Sequence, residues 1–179
     1  MKTKCGIAML LVAMAVTLCA AMPAAAPAQA GLNSYEMQIV NLVNAQRVAH
    51  HMAEFRLNAK LMQAARAHSK DMAQRDYFAH NTLGRETWSR RIIKCGYSPS
   101  GCRMWSIGEN IYRGTGLYAD PHIVVLGAGA TAKGWMTSPP HRRVILTKSF
   151  RDIGISAYKI TRDNATTWYF TLDLGRRVK

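Results

Sequence analysis

Three titratable residues in this chain sit in contexts where a side chain can do chemistry: His80 in DYFAH, Glu109 in SIGEN and His141 in SPPHR. Imidazole and carboxylate are the groups that move protons near neutral pH and that ligate divalent ions. Each of the three follows or interrupts an apolar segment, a boundary from which a side chain can be aimed into a cleft. Their spacings of 29 and 32 residues do not by themselves bring them together. A fourth candidate, His68, falls on a helical stripe with Leu61, Ala65 and Met72. That placement predicts a buried histidine, hydrogen-bonded locally and holding two elements together.

The elements that must position these residues are legible from periodicity. SYEMQIVNLVNAQRVAHH carries Ile39, Leu42 and Val43 at helical spacing, and Asn58 caps a second helix, with Leu57 able to staple onto Met62. A third helix is expected from Thr87 to Cys95, ending at Gly96. Asp120-Pro121 predicts a fourth, running to a stop at Pro139-Pro140 and weakened in its middle by Gly127, Gly129 and Gly134. The period then changes: IGISAYKI and TWYFTLDLG read as strands joined through TRDNAT, and SIGENIY as a third strand. In the second of these, Trp168, Phe170, Leu172 and Leu174 share one face, with Tyr169, Thr171 and Asp173 on the other. Helices first and strands later, without βαβ alternation, predict an α/β or α+β fold with a mainly antiparallel sheet.

Residues 1–30 are set apart from this fold. Lys2 and Lys4 precede an apolar run from Ile7 to about Ala21, and the stretch ends in Ala28-Gln29-Ala30, the shape of a secretory signal peptide. The alternative is a retained N-terminal anchor. Cys19 follows Leu18 rather than a small residue, which argues against a lipid-modified cysteine. Residues 31–179 are then one domain, with no later segment of about 20 apolar residues able to span a bilayer.

Cys95 and Cys102, seven residues apart, are the cysteines that stay beyond the leader. In an exported chain they are expected to form a disulfide closing GYSPSG, two free thiols or half a metal site being the alternatives. The net charge of +14, or +12 once Lys2 and Lys4 leave with the leader, predicts affinity for polyanions. The basic residues are scattered and no nucleic-acid-binding signature accompanies them. The charge therefore fits an anionic cell envelope better than a specific nucleic acid.

NLVNAQR, LNAKLMQAARAHSKDMAQRDYFAH, RRIIKCGY, GENI, WMTSPPHR with VIL, IGI and a last aromatic strand ending in DLG follow one another across almost the whole of residues 31–179. In this order the chain resembles the bacterial branch of the CAP superfamily, the cysteine-rich secretory, antigen 5 and pathogenesis-related 1 proteins. The resemblance implies a three-layer α-β-α sandwich whose central cleft holds two histidines and two acidic residues, with metal binding in parts of the family. On that pattern His80, Glu109 and His141 are the cleft residues, and the position of the second acid falls on Ser138, an additional cleft candidate. Two imidazoles and one carboxylate form a sensible zinc set, or one for another divalent cation, with an open position for water.

The departures from the family pattern are Ser138, Leu172 where a polar residue is expected, and an apparent insertion over residues 112–122. With one acid missing, a hydrolase is the least favoured reading. A secreted or envelope-associated module that binds a metal or a small ligand, such as a lipid or cell-envelope fragment, comes first. An interaction protein with a purely structural cluster, acting through the 112–122 insertion, comes second.

Overall fold

The computed structural model describes residues 31–179, so the expected signal peptide lies outside the described residues. Helix α1 (Ser34–Ala49) starts at a reciprocal cap: the Asn33 side chain accepts from the Glu36 N–H, and Glu36 accepts from the Asn33 N–H. Helix α2 (Ala59–Arg75) starts at Asn58, whose side chain takes the N–H groups of Lys60 and Leu61, as expected. Helix α3 (Trp88–Lys94) is capped by Thr87 and ends before Gly96, which sits at φ +87.

Strands β1 (Arg56–Leu57), β2 (Met104–Thr115), β3 (Asp152–Arg162) and β4 (Ala165–Val178) form one sheet in the order β1-β3-β4-β2. Only the two-residue β1 pairs in parallel; β3, β4 and β2 are antiparallel throughout. The β3–β4 turn places Asp163 and Asn164 at positive φ, the backbone a tight right-twisted hairpin requires.

Helices cover both faces of the sheet. On one face Ile153, Ile155, Phe170, Leu172 and Leu174 pack with Ile39 and Val43 of α1 and with Val124, Trp135 and Ile145. On the other, Met72 and Ala73 of α2 meet Ile111 and Tyr169, while Leu61 and Ala64 meet Ile92 of α3 and Tyr97. The expected three-layer α-β-α arrangement is therefore what the chain forms.

Two expectations are corrected here. The helix expected from Asp120 to the double proline is short: α4 covers only Pro121–Leu126 and ends at Gly127, φ +80. The chain then folds back, and the Trp135 and Met136 N–H groups donate to the Val124 and Val125 carbonyls left open at the helix end. Pro139-Pro140, moreover, opens a further helix, α5 (Pro139–Ile145), since proline's missing N–H costs nothing in a first turn.

The Cys95–Cys102 disulfide is likewise absent, and both thiols are free. Between them Tyr97 is drawn into the core, its hydroxyl donating to Asp152 Oδ2 at 2.8 Å. Cys95 packs against that cluster, whereas the Cys102 sulfur accepts from Arg177 Nε at 3.3 Å on β4. The two sulfurs thus have different neighbours.

Candidate functional site

β2 lies at the edge of the sheet, and successive residues of a strand point to opposite faces. Glu109 and Asn110 use that geometry. The Glu109 carboxylate reaches the α2–α3 face, where its Oε1 lies 2.8 Å from His80 Nδ1 and its Oε2 pairs with Arg91 of α3. The Asn110 side chain reaches the other face and donates to the His141 backbone carbonyl in α5, at 3.0 Å. The two histidines are thus tied to neighbouring residues of one strand and border its edge from opposite sides. The Trp135 indole N–H closes over that edge onto the Ile111 carbonyl, at 3.1 Å.

Gly108 precedes this pair because a Cβ there would meet Val144 Cγ1 at 2.8 Å and the Phe150 ring at 3.0 Å. Its absence lets α5 approach β2 closely enough for Asn110 to reach His141.

His141 Nδ1 lies 2.8 Å from Ser138 Oγ, the helix-capping position of α5, whose hydroxyl is used on the imidazole instead of on the helix N–H groups. Burial holds His141 below the ordinary imidazole pKa, helped by nearby His80. Burial, then the Arg91 guanidinium, do the same for His80. Both rings are therefore neutral at pH 7. The His80 side chain is 46% exposed against 1% for Glu109, so the imidazole is open to solvent and its anchor is not.

His68 is fully buried and bonds through Nε2 to the Ala79 carbonyl at 2.9 Å, as its helical position predicts. By fixing Ala79 it sets the backbone just before His80.

Sequence reasoning missed Arg91, Asn110 and Asp173. Asp173 on β4 stands directly across from Glu109, fully buried. Alternation assigns it to the polar face of the last strand but does not show how deeply that face is covered. Here α2 and α3 cover that face, and the same residue becomes an interior acid.

The metal set implied by the resemblance does not fit this arrangement. Glu109 spends one oxygen on His80 itself and the other on Arg91. Among the described residues no group of three or more His, Cys, Asp or Glu is arranged to hold an ion. A cavity of about 320 Å³ shares Arg91 with the cluster and is also lined by His68, Asp71 and Thr82. Another, of about 460 Å³, lies elsewhere, against Leu57, Met62 and Arg66.

The model of the cysteine-rich secretory protein family (CAP) matches residues 40–174. The uncharacterized protein YkwD of Bacillus subtilis (strain 168) is 31% identical over 130 residues, 72% of this chain and 44% of that protein. An extracellular protein containing a SCP domain from Bacillus anthracis str. Ames is similar in structure, with TM-score 0.53 and 26% identity, covering 76% of this chain and 39% of that one. An outer surface protein of Borrelia burgdorferi shares the fold, with TM-score 0.59 and 20% identity over 80% of this chain and 94% of that one. The chain spans less than half the length of the curated relatives it matches.

Proposed function

Because this chain belongs to the cysteine-rich secretory protein (CAP) family, we propose that it is an extracellular or envelope-associated binding module. Its site is the β2 edge between His80 and His141, and its ligand is a hydroxyl- and amide-bearing fragment of the cell envelope. The observation that carries this reading is the anchoring of both imidazoles at Nδ1. Glu109 holds His80 and Ser138 meets His141, both at Nδ1, and among the described residues neither Nε2 has a hydrogen-bond partner. The exported setting of the Bacillus anthracis relative, named as extracellular, supports the location. The net charge of +14, or +12 once Lys2 and Lys4 leave with the leader, would gather anionic wall material around the module.

A lipid is less well served, because the groups at this edge are polar and the neighbouring cavity is lined by His68, Asp71, Thr82 and Arg91. Hydrolysis is not favoured either. Ser138 and His141 do meet, but within one helix turn, and no carboxylate is bonded to His141 among the described residues.

The test is calorimetric titration of residues 31–179 with a soluble muropeptide, beside His80→Ala and His141→Ala variants. Saturable binding lost in both variants is the expected result. Absence of binding by the wild type, or binding unaffected by either variant, overturns it. The same titration with zinc alone should give no one-site binding; zinc binding that both variants abolish would replace this reading with a metal centre.

A further inference from the structure

Asp173 is the one acid of this site without a donor. It is fully buried, and among the described residues neither Oδ1 nor Oδ2 receives an N–H or O–H. What its carboxyl meets instead is the carboxyl of Glu109, its cross-strand partner. Glu109 is not equivalent: it already holds Arg91 and His80. Two carboxylates in contact away from water cannot both ionise when one guanidinium serves them, and the proton goes to the member with no cation of its own.

We infer that Asp173 is a neutral carboxylic acid whose O–H donates to Glu109, and that it thereby makes His80 present a bare Nε2 lone pair to the cleft. With the proton on Asp173, Arg91 and Glu109 cancel and the cluster is electrically neutral. Glu109, ionised, can only accept, so His80 Nδ1 must donate to it and Nε2 carries no hydrogen. Without that proton, a second buried negative charge would draw a proton onto His80, and the imidazolium would offer a donor suited to anions. Asp173 is thus a positioning residue that decides ligand class: groups with an O–H or N–H to give, such as sugar hydroxyls and amides, rather than carboxylates or phosphates. This selectivity rests on the binding reading above; the protonation of Asp173 does not.

The groups around Asp173 agree with the assignment. From β2 it faces Glu109, from α3 Arg91 and the Cys95 thiol at the helix end, and from the segment after α2 His80; on β3 its neighbour is Gly154, with no side chain. Burial raises the Asp173 carboxyl well above the usual aspartate value, with Glu109 adding to the rise. Burial also raises Glu109, to about 7, with Arg91 opposing the rise; of the two acids it is Glu109 that has a cation of its own.

The experiment uses the protein without ligand, so failure to find a ligand leaves it decisive. In wild-type protein labelled at the aspartate carboxyl carbons, one resonance should hold the protonated shift at pH 7 and vanish in Asp173→Asn. Imidazole nitrogen shifts should show His80 in the Nδ1–H tautomer in both proteins, because the side-chain amide introduced by the substitution replaces the acid's donor. If every aspartate resonance titrates at an ordinary value, the assignment is wrong. If Asp173→Asn shifts His80 to the Nε2–H tautomer or to imidazolium, Asp173 does not act as a neutral donor.

Discussion

Glu109 and Asn110 are adjacent in β2, yet the first holds His80 on one face of the sheet and the second holds the His141 carbonyl on the other. The site is therefore built around the edge of a strand, and each histidine depends on a different one of the two residues. Glu109→Gln should remove the direct ion pair to the buried Arg91 and leave Asp173 as the one remaining acid of the cluster, at a cost of up to about 3–5 kcal/mol. Asn110→Ala should cost less, about 1 kcal/mol for one lost hydrogen bond, and should perturb His141 while leaving His80 in place. Urea denaturation with histidine nitrogen shifts separates the two. Equal perturbation of both histidines by either variant would contradict this division.

Arg47 is fully buried and gives its donors to carbonyls: Ala53 at 2.7 Å, Ile145 at 2.7 Å, Thr147 at 3.2 Å and Phe150 at 3.1 Å. Desolvation lowers its pKa to about 10, with Arg151 adding to the effect. The guanidinium stacks on Phe55, 3.9 Å from the ring centroid. It fastens α1 to the end of α5 and so to the helix that carries His141. Arg47→Met keeps the stem but orphans several carbonyls, and a loss of at least about 3 kcal/mol is expected in chemical denaturation. A near-neutral result would show that those carbonyls find other donors.

His68 makes the fold sensitive to acid. Burial, with Arg91 contributing, lowers its pKa from 6.5 to about 3. Below about pH 6.5 the unfolded chain binds a proton that the folded one refuses, so this stabilisation is complete above that value and is lost as pH falls toward 3. The slope for one group is about 1.4 kcal/mol per pH unit. Stability measured from pH 7 to 4 should fall less steeply in His68→Gln, whose amide can still reach the Ala79 carbonyl. Parallel curves for the two proteins would remove His68 from the account.

Gly154 on β3 lies where α2 passes closest to the sheet. A Cβ there would run into the Leu61 carbonyl group and the Met62 nitrogen, backbone atoms that cannot rotate aside. Gly154→Ala should destabilise by about 1–3 kcal/mol or more, read as a lowered melting temperature. An unchanged value would mean that α2 can lift from β3 without loss.

The sequence alone determined most of the repeating structure and named three residues of the candidate site. The cap at Asn58, the alternation in 168–174 and the polar TRDNAT connection act within a few residues, so they are readable without the rest of the chain. His80, Glu109 and His141 stood out because titratable groups interrupt apolar segments there. What only the tertiary structure decided were effects of residues distant in the chain. Gly127 ends α4 because Trp135 and Met136 return to take its open carbonyls. Cys95 packs against the cluster around Tyr97, whereas Cys102 meets Arg177 of β4. Most of all, the alternation puts Asp173 on the polar face of the last strand without showing that it loses all contact with water, which follows from α2 and α3 covering that face and β2 setting Glu109 against it. A local pattern reports which face a residue is on; whether water reaches that face is decided by the layer that packs over it, and with it the charge a carboxyl can carry.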